Sequence, residues 1–212
     1  MAVKKTLNIV RGKTTSLVIR WETTPVVSKA ITAISAATGF PRLTVPSHGV
    51  KNGWRVYVSG VQSPKQINTQ NNPPRSSDYR EATVIDANTI EFNGLLPVDE
   101  NGRDWAAYTS GGFLQYNTPK SLAGATVRVK VKDKVGGTVL LSTQAADTPL
   151  NLITATADDT NKAITIEIPA SATEDLTWDK GVWEVEVEFG TGVVESVIAP
   201  SPVVVGDEVI TP

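Results

Sequence analysis

No cysteine occurs in this 212-residue chain, and His48 is its only histidine. The first absence excludes disulfides, thiolate nucleophiles and cysteine zinc sites. A positive excess is missing as well. The formal net charge is −2, and no lysine–arginine cluster supplies the counterion-release footprint of a phosphate-binding face, so nucleic acid is not expected as a partner. Long apolar runs are absent. Met1-Ala2-Val3-Lys4-Lys5 precedes no segment of signal-peptide length, and nothing approaches a transmembrane span. The expectation is a soluble protein with no membrane partner, made in a cytoplasm and not exported by a cleaved signal.

Blocks of Ala, Leu and Glu that would favour helices are scarce, while Val, Thr and Ile abound, which is strand composition. Hydrophobic residues make up 40% of the chain, enough for a real core. Thirteen prolines and sixteen glycines divide it at intervals that suit many short strands, so the class is all-β.

The alternation confirms the class locally. Thr15 to Glu22 puts Leu17, Ile19 and Trp21 on one face, with the shorter Leu7 to Val10 strand before it across an Arg11-Gly12-Lys13 turn. Thr126 to Lys132 alternates Val127, Val129 and Val131 with Arg128, Lys130 and Lys132, and Gly136-Gly137 turns it into a hairpin with Thr138 to Leu141. Ala163 to Ile168 buries three isoleucines, and Pro169 to Leu176 has room for one helical turn. Gly181 to Phe189 sets Trp183, Val185, Val187 and Phe189 against Glu184, Glu186 and Glu188. Val193 to Ile198 and a last, proline-edged Pro202 to Val205 strand follow.

Seven or so antiparallel strands of this kind predict an immunoglobulin-like β-sandwich. About a hundred residues separate its first strands from the rest, too many for a structureless connection. The spacing therefore predicts a second domain inserted at a surface loop, where loop entropy makes insertion cheap. The expected scheme is residues 1–27 and 119–212 as the sandwich and 28–118 as a small β-barrel-like insert.

Two sets of motifs now carry a resemblance. Leu7 to Trp21, Leu122 to Val131, Ile164 to Thr173 and Gly181 to Val205 occur in the order found in the immunoglobulin-like domain at the N-terminus of the tailed-phage baseplate upper protein, which this half resembles. Ala30 to Ile34, Ser47 to Val61, Val84 to Phe92 and Tyr108 to Gly112 are similar to a phage structural module. That module takes its name from the first-catalytic-cysteine half-domain of ubiquitin-activating enzymes. Trp54 stands where that module has an acidic residue, and no cysteine is present for ubiquitin chemistry.

These resemblances imply a non-enzymatic structural protein of a phage virion, in the tail or baseplate, linking, decorating or anchoring a fiber. Its partners would be other phage structural proteins and further copies of itself, with no cofactor. Head decoration or a head fiber is the alternative. A carbohydrate-binding receptor module for a host-surface glycan is another, with Trp54, Trp105 or Tyr108 as its stacking surface.

Individual residues are read in the same light. His48, in a His-Gly turn, lacks a nominated nucleophile or orienting partner and is expected to be structural, so no catalytic residue is assigned. The acidic pairs Asp99-Glu100, Asp158-Asp159 and Glu174-Asp175 follow no metal-loop spacing. The basic and acidic combs are expected on neighbouring strands, pairing across the ladder on the solvent face. Gln62 to Arg80 is long, polar and aperiodic, and is expected to be less ordered alone than in an assembly. Within it Pro73, Pro74, Arg75 and Tyr79 are the candidate interaction residues.

Overall fold

The computed structural model describes residues 2–36, 39–147 and 153–207; the outermost residues of the expected sandwich, 1 and 208–212, lie outside them. The strands in chain order are β1 (Leu7–Val10), β2 (Thr15–Arg20), β3 (Glu22–Ala30), β4 (Ala33–Ser35), β5 (Arg42–Thr44), β6 (Arg55–Val61), β7 (Arg80–Glu81) and β8 (Thr83–Asp86). They continue with β9 (Thr89–Glu91), β10 (Gly111–Pro119), β11 (Thr126–Lys132), β12 (Val139–Ser142), β13 (Thr154–Asp158), β14 (Ala163–Ile168), β15 (Lys180–Glu188) and β16 (Val194–Gly206). One short helix, α1 (Ala170–Thr173), supplies the helical turn expected after Pro169.

The chain forms two compact units, one of residues up to Trp21 and from Lys120 onward, the other Glu22–Pro119. The first unit is a sandwich of two sheets, ordered β1-β16-β15-β11-β12 and β13-β14-β2. With β2 as strand B and β11 as strand C, β13, β14, β15 and β16 take the places of D, E, F and G. B, E and D then share one sheet, and C, F and G the other, which is the immunoglobulin arrangement. The insert lies between strands B and C.

The inward residues of both sheets make a single core. Val127, Val129 and Val131 of β11 meet Ile164, Ile166 and Ile168 of β14, with Trp183 and Val185 of β15 fully buried among them. Strict alternation of these residues is what period-two geometry requires of a strand buried on one face. The Trp183 indole donates to Lys5 O at 2.7 Å, and Lys5 N–H donates to Ser201 Oγ at 3.1 Å, which ties the N-terminal segment to β16.

Two details depart from the sequence pattern. The division falls after Trp21 rather than after residue 27, because the chain passes almost directly from β2 into β3, and β3 pairs with β10. On return, Lys120 N–H donates to Trp21 O at 2.8 Å, so the sandwich is cut at two adjacent points. Second, Pro202–Val205 is no separate strand. It is the end of β16, paired with β1 in parallel and β15 in antiparallel register, and β1 is the outer strand.

The inserted unit has two four-stranded sheets, β3-β10-β6-β7 and β4-β5-β9-β8. They close on a separate core in which Trp54, Val56, Val58, Leu43, Ile90, Phe92 and Leu114 are buried. Gly112 sits at φ +100° where β10 meets β6, and a Cβ there would collide with the Val61 side chain. One residue earlier, Gly111 at φ +75° would bring a Cβ to 2.8 Å from Gly60 O. Only glycine allows that approach.

Candidate functional site

His48 lies 1% exposed between two motif segments. Its Nδ1 accepts the Val50 N–H at 3.0 Å, so its protonated Nε2 donates to Asp86 O at 2.8 Å. Around it, Ser47 N–H donates to Asn88 Oδ1 at 2.9 Å, Val45 N–H to Asn88 O at 2.7 Å, and Tyr116 Oη to His48 O at 2.5 Å. Burial raises the Tyr116 phenol pKa and keeps it a neutral donor. The imidazole thus clamps the Ser47–Val50 turn to the Asp86–Asn88 turn, with both ring nitrogens engaged by backbone.

Tyr108-Thr109-Ser110-Gly111-Gly112 has a similar role. The Tyr108 hydroxyl shares its one proton between Ile31 O and Gly111 O, each at 3.0 Å. Of the three residues considered as a stacking surface for sugar, Trp54 is 1% exposed and belongs to the core, which removes it from that role. Trp105 and Tyr108 are half-buried and pack against the same core, and the Trp105 indole donates to Val98 O at 2.9 Å.

The Gln62–Arg80 loop is tied down within its own unit. Pro64 and Ile67 are buried, so the premise that the loop buries too little to fix itself fails at these two residues. Asn68 Oδ1 accepts Val61 N–H, and its Nδ2 donates to Val61 O, both at 2.9 Å; Thr69 N–H donates to Val58 O at 2.7 Å. Asp78 accepts Arg75 N–H at 2.6 Å and Asn71 Nδ2 at 2.9 Å, which lowers its pKa.

Of the four candidate interaction residues, Pro73 and Arg75 are exposed and Pro74 is half-buried. Tyr79 stands apart from them. Its ring meets Tyr57 edge-on at 5.2 Å, and the Arg55 guanidinium lies 4.6 Å over its face. Arg55 in turn holds Glu22 in a bidentate pair at 2.6–2.9 Å. Tyr79 therefore covers Tyr57 on the outer face of β6, whereas Pro73 and Arg75 remain on the surface.

Two of the three acidic pairs hold turns. Asp158 caps the N–H groups of Thr160 and Asn161 at 2.8 and 3.0 Å. Asp159 accepts Leu122 N–H and Lys162 Nζ, each at 2.6 Å, and these donors lower its pKa. Asp99 accepts Asn101 and Arg103 N–H at 2.8 and 2.9 Å. Among the described residues no group of three His, Asp or Glu is arranged to hold a metal ion.

The charged combs lie on adjacent strands, with Arg128 opposite Glu186 and Lys130 opposite Glu184. Their ion pairs are not the directly opposite ones. Arg128 pairs with Glu188, one rung along, and Lys130 reaches Asp147 at 2.8 Å. Long side chains lean along a strand, and Asp147, just beyond β12, meets Lys130 from the side. Glu184 is left with a Ser196 hydroxyl at 3.3 Å; neither it nor Glu186, Lys132 or Lys134 forms an ion pair among the described residues.

Sequence alone gave no sign of the depression on this face, a cavity of about 280 Å³. One wall is the turn carrying Val135, 73% exposed; the opposite wall is Pro200, where β16 bulges between the Val185–Ile198 and Trp183–Ser201 rungs. Val182, opposite Lys132 at the end of the acidic stripe, lines it as well. Gly136-Gly137 reads as a hairpin turn in sequence, and only the fold sets that turn across β15 from Pro200. No known protein family matches the chain, and no curated protein does.

Proposed function

We propose that the chain is a non-enzymatic structural component of a phage virion, placed in the tail or baseplate and present in several copies. The observation that carries this reading is the use made of the motif residues. Ser47–Val50 and Asp86–Asn88, stretches similar to the phage module, spend polar groups on each other, and Tyr108 of a third such stretch spends its hydroxyl on the backbone of Ile31 and Gly111. A general base must keep a nitrogen free for a substrate proton, and both nitrogens of His48 are occupied. The sandwich, with its insert between strands B and C, agrees with the other resemblance in its order of motifs.

In such a part, affinity comes from repetition: weak contacts of each copy add up in a symmetric assembly. The experiment is mass spectrometry of purified particles with a count of copies. Copy numbers matching three- or six-fold tail symmetry support the tail or baseplate. Hundreds of copies on the shell move the protein to head decoration. Absence from the particle ends the structural reading.

A further inference from the structure

The face formed by β11 and β15 carries two parallel stripes of opposite sign, Arg128-Lys130-Lys132 beside Glu184-Glu186-Glu188. Such a face is self-complementary. Rotating a second copy by a half-turn about an axis that lies above this face, midway between the two strands and parallel to them, exchanges left for right. The basic stripe of each copy then lies over the acidic stripe of the other, in the same register. Arg128 faces Glu186 of the second copy, and Lys130 faces Glu184.

We infer that this face pairs with a second copy of the chain through that two-fold axis. Three observations meet here. Among the described residues Glu184 and Glu186 form no ion pair, so these two acids remain for the Lys130 and Arg128 that the rotation brings over them. The cavity of about 280 Å³ between the stripes offers a recess that a flat solvated face lacks. The same rotation carries the exposed Val135 of each copy across to the β16 side of the other, where Val182 and Pro200 line that recess. An isologous contact needs one patch that fits itself, and this one does in its order of charges.

Nucleic acid would need a surplus of cations, which the face does not have. The contact is a weak one, made of rim charges and one apolar knob. It suits a protein held at high local concentration by a larger assembly. The inference rests on the multi-copy reading above but fails separately from it. Pairing by a protein absent from particles would sink that reading alone, and a monomer found in particles would sink this one alone.

The test is sedimentation velocity of the full chain over rising concentration at low and high salt. It compares the wild type, Lys130→Glu, Glu184→Lys and an equal mixture of the two variants, with melting curves to establish folding. The wild type is expected to dimerise, less so at high salt. Each variant alone should weaken association about tenfold, because two-fold symmetry counts each lost contact twice. The mixture should recover it, since each new charge then faces its opposite. A wild type still monomeric at about millimolar concentration overturns the inference, as does a mixture that fails to recover. If either variant does not fold, Val135→Asp at the exposed turn takes its place. A dimer indifferent to that change also overturns the inference.

Discussion

Asn68 stands in for a missing strand on the side of Val61 away from β10. Its carboxamide accepts the Val61 N–H and donates to the Val61 carbonyl, both at 2.9 Å, the exchange a neighbouring backbone would make. A second donation to Lys65 O at 3.1 Å fixes the loop itself. Asn68→Asp keeps the acceptor but aims a charge at two carbonyl oxygens. Stability is expected to fall by about 1–3 kcal/mol, the cost of buried groups left unmatched. Urea denaturation reads this, with amide exchange at Val61 rising in parallel.

His48→Leu should be costly in the same manner. It strands the Val50 N–H in a buried place, at about 1–3 kcal/mol, and takes the ring partner from the carbonyl of the more exposed Asp86. His48→Gln, which retains one donor and one acceptor, should cost less than the leucine change. Equal losses from the two variants, measured by denaturant midpoint, would show that the ring acts by volume rather than by its two hydrogen bonds.

Gly112→Ala and Gly102→Ala separate two costs of substituting a glycine at positive φ. Both residues have positive φ, but a Cβ at Gly102 meets nothing within 4 Å whereas one at Gly112 runs into Val61. The Gly102 variant should lose about 1 kcal/mol from backbone strain alone. The Gly112 variant should lose about 3 kcal/mol or more, or fail to fold, since β6 and β10 must move apart. Melting temperatures of the purified variants test the difference.

Acid should loosen the sandwich through Asp159. Its carboxylate accepts from Lys162, from Leu122 N–H and from Ser121, and its pKa is lowered in the folded state. The unfolded chain then binds more protons, so this contribution is complete above the ordinary aspartate value of about 3.9 and is lost as pH falls below it. Asp147, lowered by Lys130 and by Ser142, acts in the same direction. Melting temperature followed from pH 6 to about pH 3 should fall less steeply in Asp159→Asn than in the wild type. Parallel curves would remove Asp159 from the account.

The alternation of Val127-Val129-Val131 and of Trp183-Val185-Val187 determined, from sequence alone, which face of each strand is buried. A side-chain period of two leaves no other choice once a core exists. The adjacency of β11 and β15 followed from the expected immunoglobulin arrangement, and the hundred-residue interruption announced the insert. The pairing of charges did not follow. Whether Lys130 meets Glu184 or Asp147 depends on where the segment after β12 passes, and no local periodicity encodes that. Asn68 was equally silent, since an asparagine in a polar loop reads as solvated until Val61 is found beside it. His48 could be read as a turn residue, but its two backbone partners come from positions 50 and 86, which only the folded chain brings together. Local periodicity decides burial because it is a property of one strand. Hydrogen-bond and ion-pair partners are a property of several strands at once, and these the tertiary structure alone decided.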